Sequence, residues 1–489
     1  MTGLLFLPIA APLVAAGVAA LFGWRRWTAA VTAASALAIL AAGVALAFFT
    51  DGKAVADSHH LLRADALTST MLLVIGAVAT LACLASIGYI DAELADGHTS
   101  PQAARLYGVL LPLFLAAMAL SVMAMSIGVM WVGIEATTVV TAFLVGHRRT
   151  RAALEATWKY VIICSFGIAL AFLGTVLVYF AGTTTREPGN HSLDIDVLLS
   201  GAAHLDPRVT SLAAALLLLG YGAKAGLVPF HTWLADAHSQ APAPVSALMS
   251  GVLLSVAFYA LLRVKSIIDL TLGEGFMRVG LIVMGLLTLA VAALLLVVQT
   301  DFKRMLAYSS MENMGIVAIA AAIGTRLAVA ALLLHVLAHG VAKALVFVSS
   351  GAIQGARGST AIAKVRAVLS RSPLVGSAFT LGLVVLLGLP PFAMFASEWG
   401  VARALAAEHF GWLLGAMLVF VAIAFTGLVR AGSSMMLGAP EAGEAAFAPP
   451  RAIGATLVLG IALSVALCVS IGPLTNLLEA AATTLGVGR

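Results

Sequence analysis

Two residues of opposite charge lie inside apolar stretches where a charge is costly. Glu135 is central to the predicted helix 127–146, and Lys224 lies deep in the predicted helix 209–229. One charge at the centre of a membrane helix costs about 2.5–3.5 kcal/mol on insertion scales, so each needs a reason. We expect the two residues to form a pair whose protonation can change. The alternatives are a purely structural ion pair for Glu135 and a Lys224 side chain that extends to the membrane surface.

A second group of titratable side chains lies on one later helix. His335, His339 and Lys343 are spaced i, i+4, i+8, which places them on one helix face over about 12 Å. Histidine titrates near neutral pH, and a buried lysine can lose its proton when a carboxylate moves away. This spacing favours a proton relay over a packing motif. Metal binding by the two histidines would need a carboxylate that this helix lacks.

Further ionisable residues follow two proline-containing segments of the same pattern. Gly-Leu-x-Pro-Phe occurs at 226–230 and at 388–392, and Asp236 follows the first copy at the offset at which Glu398 follows the second. Proline removes a backbone donor, so each copy should break its helix. His231, Asp236 and His238 follow the first break. They either line a proton entry route or hydrogen-bond to the backbone groups that the break leaves unpaired.

The elements that position these residues are membrane helices. Of 489 residues, 62% are hydrophobic and 10% charged, against about 25% charged in soluble domains. The mean hydropathy is +1.07. Apolar runs of spanning length recur along the chain, and the only long polar loop is 182–208. The sequence therefore predicts an all-α integral membrane protein with about 14 transmembrane helices, of which helices 7 (209–229) and 12 (374–397) are broken.

The two copies of the Gly-Leu-x-Pro-Phe pattern lie five helices apart, an odd number, so they should run in opposite directions. That arrangement indicates two inverted five-helix repeats, in which broken helices mark the transport site. The predicted segments are an N-terminal three-helix segment 1–100, a first repeat 101–270, a second repeat 271–435 and a C-terminal helix 436–489.

Loop charges predict the orientation. Loops after odd-numbered helices carry more Lys and Arg than loops after even-numbered helices. Arg263 and Lys265 are counted in the even-numbered loops. The positive-inside rule then places the odd-numbered loops in the cytoplasm and both termini outside. We expect a multi-pass protein of a bacterial inner membrane, with no nucleic-acid partner. The lone cysteines and the absence of a Cys/His cluster predict no metal and no cofactor in this chain.

Taken together, the motifs resemble one family. Trp131-Val132-Gly133-Ile134-Glu135, the run from Lys224 to Leu234 and His335…His339…Lys343 are similar to the antiporter-like subunits of respiratory complex I and of multi-subunit cation/proton antiporters. The run Glu135–Thr138 and Met311–Gly315 most resemble the F-type membrane subunit of hydrogenase-4 and formate-hydrogenlyase-type complexes.

The resemblance implies roles for the residues named above. Glu135 and Lys224 would form the charge pair that couples neighbouring subunits, and Glu398 would stand at the outward exit. The central hydrophilic axis would consist of His335, His339 and Lys343. The family usually has a Lys or His in the eighth predicted helix, helix 8 (243–268), where this chain offers only Ser250 and Ser255. A hydroxyl can hold a water but stores no proton at neutral pH.

The resemblance implies a proton-translocating subunit of a redox-driven complex, hydrogenase- or NADH dehydrogenase-like. Its partners would be other membrane subunits and a peripheral redox arm, because this chain has no nucleotide, cluster, haem or flavin motif. Two alternatives remain open at this point. One is a cation/proton antiporter or inorganic-carbon uptake subunit, and the other is a non-transporting assembly scaffold, which the missing helix 8 base makes conceivable.

Overall fold

The computed structural model describes residues 2–50, 54–58, 60–183, 192–438 and 445–486. These residues form 20 α-helices and one short antiparallel hairpin. In the first half the elements are α1 (Thr2–Phe22), α2 (Arg26–Thr50), β1 (Val55–Ala56), β2 (Arg63–Ala64), α3 (Ala66–Ala95), α4 (Pro101–Met123), α5 (Ile127–Val145), α6 (Arg151–Thr183), α7 (Ile195–Gly201), α8 (Pro207–Lys224), α9 (Trp233–Gln240) and α10 (Ala243–Leu248). After a π-helical segment (Met249–Leu253) they are α11 (Leu254–Leu272), α12 (Gly275–Val298), α13 (Phe302–Ile323), α14 (Arg326–Arg357), α15 (Val368–Arg371), α16 (Pro373–Leu386), α17 (Ala393–Ala407), α18 (Gly411–Met436), α19 (Arg451–Val469) and α20 (Ile471–Thr484).

Twelve helices in the described part of the chain are long and apolar enough to cross a membrane, and α10, the π-helical segment and α11 count as one of them. The all-α membrane fold is thereby confirmed. The two predicted spans that are not among the twelve are 209–229 and 374–397, which are the two that the sequence predicts to be broken. The total of about 14 crossings stays a prediction.

Both interruptions have the same local cause. Helix α8 ends at Lys224, and Gly226 then adopts a left-handed φ of +78°. Helix α16 ends at Leu386, and Gly388 adopts a φ of +61°. Glycine enters this region without steric penalty, and the proline that follows each glycine supplies no backbone donor to continue the helix.

The two ends of the molecule are named here after residues of the central helices. The Lys303 end is where α13 begins and α14 ends, and the Arg326 end is where α13 ends and α14 begins. Helix α9 ends at the Lys303 end, where the Lys303 Nζ donates to the Ala241 carbonyl at 2.8 Å. Helix α17 ends at the Arg326 end, where Glu408 and Arg326 line one cavity. The two broken segments thus run in opposite directions, as the predicted inverted repeat requires; the repeat itself stays a prediction.

Burial separates an inner group of helices from an outer group. The apolar windows of α10–α11 and of α14 are 100% buried, whereas that of α18 is 28% buried. Outer helices expose large apolar side chains such as Trp158, Phe166 and Val419. Exposed apolar surface of this extent suits lipid or partner helices. The inner helices are those that carry His335, Lys343 and Ser250.

Three details differ from the sequence prediction. The predicted loop 182–208, of which 184–191 lie outside the described residues, contains the short helix α7. The predicted C-terminal helix within 436–489 is two helices, α19 and α20, with Ser470 between them; 439–444 and 487–489 lie outside the described residues. Arg263, counted among loop cations, lies within α11 and is 1% exposed, because a buried carboxylate pairs with it.

Candidate functional site

Lys224 is the last residue of α8 and is fully buried. Its Nζ donates to Thr138 Oγ1 at 2.9 Å and to the Tyr160 hydroxyl at 2.6 Å. Tyr160 also hydrogen-bonds Thr141, and Lys224 Nζ lies 4.8 Å from the centre of the Tyr160 ring. The ammonium is therefore held by hydroxyl oxygens contributed by α5 and α6.

Glu135 lies one helical turn before Thr138 on α5, and its side chain is half-buried. It interacts with both Thr138 and Lys224. Among the described residues, however, no ion pair within 4 Å joins Glu135 to Lys224. The two members of the predicted pair are brought together through Thr138 rather than by direct contact, so a shift of one side chain would alter the charge that the other experiences.

Helices α13 and α14 form a ladder of polar side chains. At the Lys303 side of this ladder, Lys343 Nζ donates to the Leu306 carbonyl at 2.8 Å and to the Ser309 hydroxyl. At the other side, His335 Nε2 and Asn313 Oδ1 are 2.9 Å apart. The predicted common face of His335, His339 and Lys343 is the face that α14 presents to α13.

His339 lies between these two contacts. Its ring stacks on His335 with centroids 6.5 Å apart and planes at 11°. Neither ring nitrogen has a hydrogen-bond partner within the described part of the chain. Buried ring nitrogens without a hydrogen-bond partner cost free energy unless a water hydrogen-bonds to them, so His339 is a position where a bound water is expected.

The partners of His335 fix its ring. Asn313 donates its amide to the Ser309 carbonyl at 2.6 Å and to Glu312 at 2.9 Å, so its Oδ1 is left to accept from His335 Nε2–H. His335 Nδ1 faces the Ser397 hydroxyl at 3.0 Å, which also lies 2.6 Å from the Met394 carbonyl. Rotation of the Ser397 hydroxyl lets it donate to a neutral ring or accept from a charged one. His335 can thus gain or lose a proton at Nδ1 without losing a partner.

Helix 8 of the sequence prediction corresponds to α10, the π-helical segment and α11. Ser250 lies in the π-helical segment, and its Oγ is 2.6 Å from Ser310 Oγ. Gly251 packs directly on Gly340 of α14: a Cβ at Gly251 would lie 2.9 Å from the Gly340 carbonyl oxygen. Ser255 is buried, and its Oγ has no partner among the described residues. Ser250 therefore joins the ladder, and Ser255 does not contact it by hydrogen bonding.

Glu398 lies just after the second break, near the start of α17. A Cβ at Gly388 would lie 2.8 Å from the Glu398 carboxyl carbon, so the absence of a side chain there lets the carboxylate approach the broken backbone. Glu398 is adjacent in sequence to Ser397, the partner of His335 Nδ1. A groove of about 540 Å³ opens between α14, α17 and α20 and is lined by Leu334 and Ala396. Glu398 is not itself among the residues that line this groove, but Ala396 and Trp399 of the same helix are.

The residues after the first break are arranged differently. Asp236 accepts from Lys159 at 3.0 Å and from Arg304 at 2.5 Å, so it is engaged in ion pairs at the Lys303 end. His238 is buried and stacks on Phe347 with ring centroids 5.2 Å apart, and both of its ring nitrogens lack partners within the described chain. His231 is half-buried. The ion pairs of Asp236 favour its structural interpretation, whereas His238 retains free nitrogens.

The sequence interpretation assigns no role to five residues that the structure places beside Lys224 or along the ladder: Thr138, Tyr160, Ser309, Glu312 and Asn313. Glu312 could have been found from the sequence, because it is an acidic residue inside the predicted helix 303–322. Its charge has the same free-energy cost of membrane insertion as that of Glu135. The hydroxyl and amide residues could not, since such side chains are common in membrane helices. No group of His, Cys, Asp or Glu suited to hold a metal occurs among the residues that the structure describes.

Comparisons with known proteins agree with the architecture. Residues 124–426 match the family described as NADH:quinone oxidoreductase/Mrp antiporter, TM. The chain is 38% identical over 337 residues to the hydrogenase-4 component F homolog of Methylacidiphilum infernorum, covering 68% of this chain and 70% of that protein. It is similar in fold to a chain of an archaeal membrane-bound sulfane sulfur reductase, with TM-score 0.88, 23% identity and coverage of 100% and 98%. It also superposes on a chain of Thermus thermophilus respiratory complex I, with TM-score 0.74, 25% identity and coverage of 97% and 99%.

Proposed function

We propose that this chain is a transport subunit, because it belongs to the NADH:quinone oxidoreductase/Mrp antiporter membrane family. It is an antiporter-like membrane subunit, and we infer that it translocates protons in a redox-driven complex of the hydrogenase or NADH dehydrogenase type. Its partners are other membrane subunits of that complex and a peripheral redox arm, which supplies the electron chemistry.

One observation carries this proposal. Lys224 and Lys343 are both fully buried, and both donate to neutral oxygens of hydroxyls or a carbonyl, with no carboxylate within ion-pair distance among the described residues. A buried ammonium without a fixed counter-ion holds its proton only as long as a nearby negative charge supports it. The carboxylates Glu135 and Glu312 lie within electrostatic range of these lysines, so movement or protonation of either carboxylate would release a proton.

We assign the proton route to two connected clusters. Protons would enter near His238 at the Lys303 end, pass along Lys343, His339 and His335, and leave at Glu398. The Glu135–Lys224 cluster would couple this ladder to a neighbouring subunit. No continuous chain of side-chain hydrogen bonds links Lys224 to Ser250 among the described residues, so a water must bridge that step. We place the Lys303 end in the cytoplasm of a bacterial cell and both termini outside.

The test begins with copurification of the full chain with its partners in mild detergent, followed by reconstitution into liposomes. Proton uptake during redox turnover is then followed with a pH-sensitive dye. Glu135→Gln should lower the flux at least about tenfold, equivalent to about 1.4 kcal/mol of barrier, because Lys224 loses the charge that supports its proton. Wild-type flux in this variant, with the assembled complex intact, would contradict the proposed coupling pair.

The two residues at the breaks supply a matched comparison. Glu398→Ala should slow proton release and lower the flux about tenfold, because the acceptor beyond Ser397 is gone. Asp236→Asn should change it less than about threefold, because Asp236 is engaged by Lys159 and Arg304 at the protein surface. Negligible effects of both substitutions, in a complex that otherwise pumps, would remove the assignment of Glu398 as the exit group.

A further inference from the structure

We propose that Glu312 on α13 is a proton-binding site that passes protons between Lys343 and Glu398. The inference rests on the proposed transport function, and the sequence analysis assigns Glu312 no role. The transferred ligand is the proton alone. The Lys343 ammonium gives one proton to the Glu312 carboxylate, which leaves a neutral amine and a neutral acid. The acid then gives the same proton to the Glu398 carboxylate and becomes an anion again.

The position of Glu312 suits this transfer. It lies one helical turn beyond Ser309, whose hydroxyl holds the Lys343 ammonium, so both residues occupy the same region of α13. Its side chain is buried, with 4% of the residue exposed. Lys343 and Glu398 both lie within electrostatic range of its carboxylate. Glu312 is therefore a carboxylate that experiences both the cation of the ladder and the carboxylate at its exit.

The partners of Glu312 distinguish it from a structural carboxylate. Its only hydrogen bond among the described residues is accepted from the Asn313 amide at 2.9 Å, and no cation lies within 4 Å of it in that part of the chain. Glu93, which is 5% exposed, pairs directly with Arg148. A buried carboxylate held by one neutral amide is costly as an anion, and binding a proton relieves that cost.

The neighbouring residues give Glu312 a step that runs beside the route through His339 and His335. Asn313 joins the Ser309 side of the ladder to His335, but an amide has no titratable proton to relay. Its oxygen is committed to His335 Nε2–H, so the nitrogen that exchanges a proton is Nδ1, on the side of Ser397. A proton from Lys343 therefore reaches the exit side either past the unpartnered His339 or through Glu312. Of these two groups, only Glu312 carries a negative charge that attracts it.

The experiment combines proton flux with infrared difference spectroscopy on the reconstituted complex. A protonated carboxylic acid has a C=O stretching band that shifts in heavy water, and a merely structural glutamate at this site would contribute none during turnover. E312Q should remove one such band and lower the flux at least about tenfold. E312D should retain a shifted band and most of the flux. Glu155→Gln, a surface carboxylate paired with Lys159, is the matched control and should leave both signals unchanged.

The outcomes separate the two proposals. E312Q with wild-type flux, or with reduced flux but every carboxylic acid band retained, overturns the role of Glu312. If E312Q does not assemble, the wild-type band must still shift in E312D; an unshifted band overturns the role as well. If the wild-type complex moves no protons at all, the proposed function fails, whereas a band lost in E312Q would still identify Glu312 as a group that binds a proton.

Discussion

Buried cations in the part of the chain that the structure describes are held in two different ways. Arg263 on α11 is paired with Asp65, the residue that caps α3, at 2.7 Å. Tyr259 and Thr68 complete its partners at 2.9 and 3.2 Å. Lys224 and Lys343 are buried to the same degree but contact hydroxyl and carbonyl oxygens. Asp65 neutralises the Arg263 charge with a fixed counter-ion, whereas the two lysines have no fixed counter-ion and can exchange their protons.

The residue types fit this division. An arginine guanidinium does not lose its proton in a protein, and its planar donors suit a fixed carboxylate. A buried lysine can lose its proton when its surroundings change. The Arg263–Asp65 pair ties α3 to α11 near the Arg326 end of the bundle, which is a structural task. The comparison teaches that the partners of a buried charge, rather than its burial, indicate whether it can take part in transport.

The largest effect is expected where a partner of the fixed pair is removed. Asp65→Ala should destabilise the protein by about 3–5 kcal/mol, because Arg263 is left as an uncompensated buried charge. Asp196→Ala removes the exposed partner of Arg63, 2.9 Å away, and should cost less than about 1 kcal/mol. Thermal unfolding of both variants in the same detergent measures the difference. Equal losses of stability in the two variants would show that the buried ion pair contributes no more to stability than the exposed one.

The same pair predicts a dependence on acid. Burial by itself raises the pKa of Asp65, but the nearby Arg263 and Arg63 outweigh it, and the net effect is a lowered pKa. A carboxyl with a lowered folded-state pKa contributes stability at pH values above its unfolded pKa of about 3.9. That contribution is lost as the pH falls from there toward the folded-state pKa. Wild-type stability should therefore decrease below about pH 4 more steeply than that of Asp65→Ala.

Much of this architecture follows from the sequence alone, for identifiable reasons. Apolar length predicted the membrane helices, and Gly226 and Pro229 predicted the first interruption, because both signals are local. The common face of His335, His339 and Lys343 follows from helical spacing. By contrast, Arg263 was assigned to a loop, because its partner Asp65 lies 198 residues away in sequence and no local pattern links them. The hydroxyls that hold Lys224 likewise come from two other helices.

Exchange of the two cation types should reverse their behaviour. Lys224→Arg preserves the positive charge but removes the ability to release a proton, so the proton flux should fall at least about 100-fold, or about 2.7 kcal/mol of barrier. Arg263→Lys should retain the flux while lowering the thermal stability, because one ammonium cannot reproduce the contacts to Asp65 and Tyr259. Flux and unfolding are measured on each variant. A Lys224→Arg complex that pumps at the wild-type rate would end the distinction between fixed and exchangeable cations.

The smallest expected effect tests whether the proton route includes the serines of helix 8. Ser310 donates to the Leu306 carbonyl at 3.0 Å, so Ser250 is the donor in the Ser250–Ser310 bond. Leu306 is also the carbonyl that accepts from Lys343, which places Ser250 close to the ladder. Ser250→Ala should therefore slow the flux about threefold, or somewhat less than 1 kcal/mol of barrier.

Ser255→Ala is the matched control, because it removes a buried hydroxyl that has no partner among the described residues. Loss of the unsatisfied Ser255 hydroxyl is close to neutral for stability, and loss of the single Ser250–Ser310 hydrogen bond costs about 1 kcal/mol, so both variants should stay folded. The flux then separates two routes. If Ser250→Ala has the larger effect, protons pass beside the π-helical segment that packs on Gly340. If Ser255→Ala has the larger effect, its hydroxyl holds a water on the route, and the proton route reaches along α11 toward the Lys224 cluster.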